Sequence, residues 1–311
     1  METTVCPITG TTDFEPLFVL PDRFDPSSSW RLVRSRQSGL LMLNPRPAAG
    51  EMPRHYPAGS YDPHLHEDRA ASLQDRVYLM ARKLLQRKKA SLVLQGECRP
   101  AGACSILEIG CSTGDLLRCL HRNKGIPPEH LAGIESDAGS ATVAERVTGV
   151  RIYRTGPGEL GKEACFDRIV FWHVFEHLHD LHGTLEESSA RLRQNGVMVM
   201  ALPNPESLDA RHYREHWIAW DAPRHLWHFT PATLSALLEQ HGLEIFSTIP
   251  YLPDTLYACW HSERLSASAR KRRFGFAAIT RVLLQTARCM AADLIRPGKA
   301  SGVIYYIRKT S

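Results

Sequence analysis

No apolar run in this sequence reaches the ~18 residues that a membrane span needs. Its opening stretch, METTVCPITG, has neither the basic patch nor the apolar core that directs secretion. The cytoplasm is therefore the expected compartment. Cysteine spacing excludes a further class. The eight cysteines stand at 6, 98, 104, 111, 119, 165, 259 and 289, with no Cys-x-x-Cys pair, and several fall inside apolar stretches. Reduced, buried thiols are expected, not a disulfide framework. Charge of one sign is also scarce. Against 33 Asp and Glu stand 38 Lys and Arg, a net of +5 over 311 residues, and nowhere do aromatic and basic residues interleave. Nucleic acid is not an expected partner.

What is present changes character along the chain. Residues 1–62 are turn-rich, with prolines at 7, 16, 21, 26, 45, 47, 53 and 57. Within them WRLVRSRQSGLLML predicts two short strands, 30–34 and 40–43, around a turn. Over 67–89, Leu73, Val77, Met80 and Leu84 recur at helical spacing. Beyond Gly102 short apolar runs alternate with helix-length segments: CSILEIG, LAGIE, VRIY, DRIVFWH and VMVMAL. Such alternation predicts an α/β fold with a parallel sheet covered on both faces. Two late strands, LEIFSTI and GVIYYIRK, follow.

The richest segment is ILEIGCSTGDLL, residues 106–117. A buried strand runs into glycines and then into a helix, which lets the backbone approach a ligand closely at the C-terminal edge of the sheet. The next strand ends in Glu135, 135 − 114 = 21 residues beyond Gly114. An acid there can accept both hydroxyls of a ribose, so the pair specifies a nucleoside-bearing cofactor. The glycine spacing is not G-x-G-x-x-G, and no Lys-Ser/Thr follows, so neither a dinucleotide fingerprint nor a P-loop is met.

The stretch resembles the Glu/Asp-x-Gly-x-Gly-x-Gly motif of class I S-adenosylmethionine-dependent methyltransferases, with Ser112 in place of the middle glycine. FDRIVFWHVFEHLHD, LRQNGVMVMALPNP and HWIAWDAPRHLWHFTPATLSALLEQHGLEI extend the resemblance to the branch of ubiquinone-biosynthesis O-methyltransferases and bacterial glycan-cluster methyltransferases. It implies a Rossmann-like seven-stranded sheet and S-adenosylmethionine as cofactor. The cofactor would be held by Glu108, Gly110, Cys111, Ser112, Gly114, Glu135, Ser136 and His173. The acid that often meets the adenine amine in this family has no counterpart in YRTGPGEL before Glu159, so backbone groups or Glu159 would serve.

The resemblance also covers the N-terminus. CPITG and SRQSGLLMLNPRP match a segment that carries two zinc-binding Cys-x-x-Cys-Gly knuckles in many members of the branch. The four sulfur positions here read Cys6, Thr9, Ser35 and Ser38. Hydroxyls are poor zinc donors, so a β-rich knuckle without metal is expected, held by Phe14, Leu17, Leu32 and Leu41. The expected division is 1–62 and 63–311, with a helical insert at about 257–300.

Methyl transfer requires alignment of acceptor and donor, and a hydroxyl acceptor gains from a base. HVFEHLHD places His173, Glu176 and His177 at the rim after the fourth strand. Three readings stay open: Glu176 and His177 brace the loop, His173 or His177 is a base, or the three bind a divalent cation. Bracing stands first and metal last, so no metal is expected. Trp217, Trp220, Arg224, His225 and His228 resemble an acceptor lid; a purely packing role for them weighs about equally. The expected reaction is O-methylation of a small molecule or sugar, with C- or N-methylation, or a non-catalytic scaffold, as alternatives. Finally, Phe276, Ile279, Leu283, Ala287, Met290 and Leu294 form an apolar stripe behind four basic residues, with Arg281, Gln285 and Arg288 opposite. The stripe is expected to pack on the domain or on a second copy in a homodimer, with at most weak, salt-sensitive contact with a membrane surface.

Overall fold

A computed structural model describes residues 1–56, 73–96, 99–161 and 163–310, without the side chains of 73–79, 101 and 159. Cys98, the first turn of the helix expected from 67, and the side chain of Glu159 lie outside the described residues. Two compact units are present. One comprises 1–56, 173–182 and 200–310; the other comprises the described parts of 57–172 together with 183–199.

In the second unit, helix α1 (Leu73–Val93) precedes strand β4 (Ile106–Ile109), α2 (Asp115–Lys124), β5 (Leu131–Ile134), α3 (Ala138–Thr148), β6 (Arg151–Tyr153) and β7 (Phe166–Trp172). Strands β4, β5, β6 and β7 pair in parallel, and every residue of β4, β5 and β7 is buried. Burial on both faces is why these strands read as continuous apolar runs. After α4 (Leu181–Arg191), strand β8 (Leu192–Pro203) runs on into the first unit. There the chain forms α5 (Leu208–Tyr213), β9 (Trp227–His228), α6 (Pro231–Glu239), β10 (Leu243–Pro250), α7 (Leu252–Ala269), α8 (Phe276–Ile295) and β11 (Gly302–Lys309). The seven-stranded sheet has the order β10-β11-β8-β7-β4-β5-β6, with β10 antiparallel to β11. The expected Rossmann-like α/β sheet is present.

The N-terminal segment of the first unit is an antiparallel sheet of β1 (Phe14–Pro21), β2 (Ser29–Ser35), β3 (Leu41–Leu43) and β9, in that order. In β2, Ser29 and Arg31 are exposed while Trp30 and Leu32 are buried, the period-two alternation of a half-covered sheet, which breaks off at the buried Val33. β1 was not anticipated from the sequence, where Pro16 argues against a strand. It is an edge strand, and its register slips between Pro16 and Phe18, as a residue without a backbone N–H requires. Leu32, Leu41 and Leu43 share a core with Tyr213, Trp217 and Trp220.

The expectation that the apolar stripe of α8 packs on its own domain is corrected, while packing against a second copy is not touched by this. The inward face of α8 carries Ala278, Val282, Gln285, Thr286, Cys289 and Asp293, while Phe276, Ile279, Leu283 and Leu294 of the apolar stripe point outward. The inversion follows from polar docking within the α7–α8 pair. Thr255 donates to Asp293 Oδ2 at 2.7 Å, and the Arg281 guanidinium meets Glu263 at 2.7 Å.

Candidate functional site

In the second unit β4 delivers Gly110 and then Gly114, the N-cap of α2, both with positive φ (72° and 79°). A Cβ on Gly114 would also sit 2.8 Å from Thr148 Cγ2, so glycine is required there for conformation and for space. Ser112, at the motif's middle glycine, has φ 48°. It is thus a serine in a glycine conformation. Its N–H donates to Glu135 Oε2 at 2.9 Å, and the N–H of Asp137 donates to Oε1 at 2.8 Å. Glu135 therefore ties the glycine loop to the start of α3, and each of its oxygens keeps a second lone pair for a hydroxyl.

Glu108 is buried in β4, and its Oε2 has no hydrogen-bond partner among the described residues. Burial raises its pKa to about 8, against the opposing charge of Lys89. Cys111 is buried too, and burial raises its thiol pKa. Ser136 is exposed beside the loop.

In the first unit His173 follows β7 with φ 53°, its N–H donating to Ala201 O at 3.1 Å. Its Nε2 stands 3.0 Å from Asp254 Oδ2 and its Nδ1 3.6 Å from Glu176 Oε1. Burial opposes the charge, but the two carboxylates win and raise the pKa to about 10. At neutral pH His173 is a cation with no lone pair for a proton, which bears directly on the expectation of a base there. Glu176 is 1% exposed, and neither of its oxygens has a hydrogen-bond partner among the described residues. Despite burial, His173, His177 and His225 hold its pKa near 2. Burial and His225 lower His177 to about 4. The Nδ1 of His177 is 3.0 Å from Tyr56 OH, and its ring meets that of His225 edge-on at 4.6 Å. The Nδ1–H of His225 donates to Ala219 O at 2.8 Å. Glu176, His177 and His225 offer ligand atoms within 4.8 Å of one another.

The other residues of the aromatic cluster are occupied. Arg224 is fully buried, with Nη1 3.0 Å from Asp22 Oδ1 and Nη2 2.9 Å from Asp221 Oδ1, and it also donates to the carbonyls of His55 and Ala222. Trp217 donates to Asp209 and Trp220 to the carbonyl of Arg214, each at 2.6 Å. His228 is buried and lies 4.9 Å from the Trp220 ring; burial keeps it neutral. Sequence reasoning missed Asp22, Asp254 and Tyr56, because each is remote in the chain from the group it serves, and it missed Asp221, three residues from Arg224, because its pairing depends on the local turn. Gly302 was missed as well: a Cβ there would lie 2.1 Å from Asp254 Oδ2.

The four N-terminal knuckle positions converge. Cys6 Sγ lies 3.2 Å from Ser38 Oγ, and Gly10 and Gly39 close matching turns at φ 69° and 78°. Burial raises the Cys6 pKa, but hydrogen bonds from Ser38, Thr9 and Ser35 outweigh it and bring the pKa below its ordinary value.

A Rossmann-like sheet with a glycine loop tied to an acid at the next strand end defines a nucleoside-cofactor α/β protein. A family model described as "Methyltransferase domain" matches residues 65–248, more than half of the chain, and the chain belongs to that family. Its cofactor is S-adenosylmethionine. Methyltransferases are among the solved structures to which the chain is similar. One is a S-adenosylmethionine-dependent methyltransferase, possible histamine N-methyltransferase, from Thermotoga maritima (17% identity, 76% of this chain, 94% of that one, TM-score 0.47). Another is geranyl diphosphate C-methyltransferase from Streptomyces coelicolor (17%, 80%, 83%, 0.49). A third is an O-methyltransferase from a trans-AT PKS multienzyme of Brevibacillus brevis (15%, 76%, 77%, 0.47). Among curated proteins none matches.

The loop residues fit the cofactor. The unpartnered buried oxygen of Glu108 leaves a place for a hydrogen bond with a ligand, and Glu135 keeps acceptor capacity for ribose hydroxyls. When bound, S-adenosylmethionine supplies an electrophilic methyl group; the loop residues would hold and orient it.

Proposed function

We propose that this chain methylates oxygen on a small molecule or sugar, within the branch that its sequence resembles. The cofactor is held at Glu108, Gly110, Ser112, Gly114 and Glu135. The proton of the acceptor hydroxyl is managed by the cluster in the first unit, where His177 is the neutral acceptor and His173 a fixed cation. One observation carries the reading: Glu176 is buried, charged and without a hydrogen-bond partner at either oxygen among the described residues. His173 balances the charge from 3.6 Å, but the carboxylate oxygens keep acceptor capacity, and a buried acceptor short of hydrogen bonds marks a place that a ligand would complete. The test is transfer of labelled methyl from S-adenosylmethionine to panels of hydroxyl, amine and carbon acceptors, with wild type and Glu176→Gln. Labelling of hydroxyls that falls ~10²-fold or more in the variant, with cofactor affinity kept, supports the reading. Labelling of amines or carbon alone overturns it.

A second reading rests on the same three side chains. Glu176, His177 and His225 supply one carboxylate and two imidazoles, a donor set suited to a divalent cation that would orient a pair of acceptor oxygens. Turnover abolished by chelation and restored by added Mg2+ or Mn2+ would favour it.

A further inference from the structure

We propose that the α7–α8 hairpin is a docking surface for an anionic phospholipid bilayer. Most of the outer face of α8 is apolar, with Arg281 and Arg288 exposed along one edge and Thr280 within it. Phe276, Leu284, Leu294 and Ile295 are 86%, 67%, 65% and 78% exposed, with Ile279 and Leu283 between them. On α7, Leu256 and Tyr257 are exposed at the end where Thr255 bonds Asp293, next to Leu294 and Ile295. In a globular helix these residues would face the core; here the inward positions are taken by Gln285, Thr286 and Asp293.

The charge around that face says what covers it. Between 255 and 300 the chain has nine Lys and Arg, all exposed, and two acids, Glu263 and Asp293, both buried. This stretch therefore carries a net of +7 in a protein whose total is +5. The cations sit at both ends of the apolar face, residues 270–273 (Arg-Lys-Arg-Arg) before it and Arg296 and Lys299 after it. A second copy is a poor occupant, since parallel or antiparallel pairing of two α8 helices sets basic clusters against basic clusters. An anionic bilayer meets both requirements, taking the side chains into its interface and the cations among its headgroups. Among the described residues no helix is long and apolar enough to cross a membrane, so the hairpin would lie on the surface.

The test is flotation of the full-length protein with vesicles of phosphatidylcholine and phosphatidylglycerol, against phosphatidylcholine alone. Two variants alter exposed positions only: residues 270–273 all to Gln, and Leu284→Asp with Ile295→Asp. A control, Arg31→Gln with Arg34→Gln, removes exposed charge from β2. Expected is binding to the anionic vesicles only, released at about 1 M salt, where screening reaches about 3 Å. Each hairpin variant should weaken partitioning by about tenfold or more, while the control should not change it. Absence of binding, equal binding to neutral vesicles, or equal loss in the control overturns the proposal. A lipid-free dimer that Leu284→Asp with Ile295→Asp converts to monomer overturns it too, by making the face a subunit contact.

Discussion

The Nε2 of His173 and the Oδ2 of Asp254 stand 3.0 Å apart, 81 residues apart in the chain, with Asp254 in space that a Cβ on Gly302 would enter. The pair fixes the protonation of the first residue after β7. In this ion pair the folded-state pKa of His173 is raised to about 10, above the ~6.5 of a free imidazole.

A raised histidine pKa contributes stability that is full below about pH 6.5, declines above it, and is gone once pH has passed about 10. Asp254→Asn should lower the His173 pKa, and the Tm advantage of the wild type over the variant should be largest below about pH 6.5 and shrink as pH rises towards about 10. The pKa is read from the imidazole resonance in an NMR titration. A titration unmoved by Asp254→Asn would show that the ion pair does not form in solution.

Arg224 predicts a loss of stability before any loss of acceptor affinity. Its removal leaves Asp22 and Asp221 buried without their shared cation. Arg224→Ala should cost about 3–5 kcal/mol of unfolding free energy, the range for breaking a buried pair from one side. Denaturant melts measure this directly. A variant of native stability with a raised KM would place Arg224 on the acceptor.

Glu135→Ala should weaken S-adenosylmethionine by about 1–3 kcal/mol, since a hydrogen-bonded charged acceptor is lost. Because Glu135 also receives the N–H groups of Ser112 and Asp137, a small fall in Tm without ligand should accompany it. Calorimetry gives the first quantity and thermal melts the second; an unchanged Kd would remove Glu135 from the ribose site.

The N-terminal sheet should carry no stoichiometric zinc. Around Cys6 the other three positions offer hydroxyls, which are weak donors to zinc. Elemental analysis should find less than one zinc per chain, and a chelator should leave Tm unchanged. One tightly held zinc per chain would refute this.

Local features of the chain were enough for the parallel sheet, the glycine loop and the acid at Glu135, because strand burial, turn glycines and strand-end acids leave short-range patterns in sequence. The α7–α8 hairpin was also legible as helices. Its sidedness was not, since the face that points inward depends on Thr255, Asp293, Glu263 and Arg281 meeting across two helices. The same holds at the candidate site. His173, Glu176 and His177 announce themselves by lying within five residues of one another. That His173 is charged depends on Asp254, and that His177 is neutral depends on burial and on His225, none of which the local sequence sets. Arg224 reads in sequence as a free cation among aromatics, yet Asp22, 202 residues away, makes it part of the core. Periodicity and loop chemistry are properties of neighbouring residues, and the sequence determines them. Protonation, burial of charge and the outward face of a helix are set by distant partners, and tertiary structure decides those.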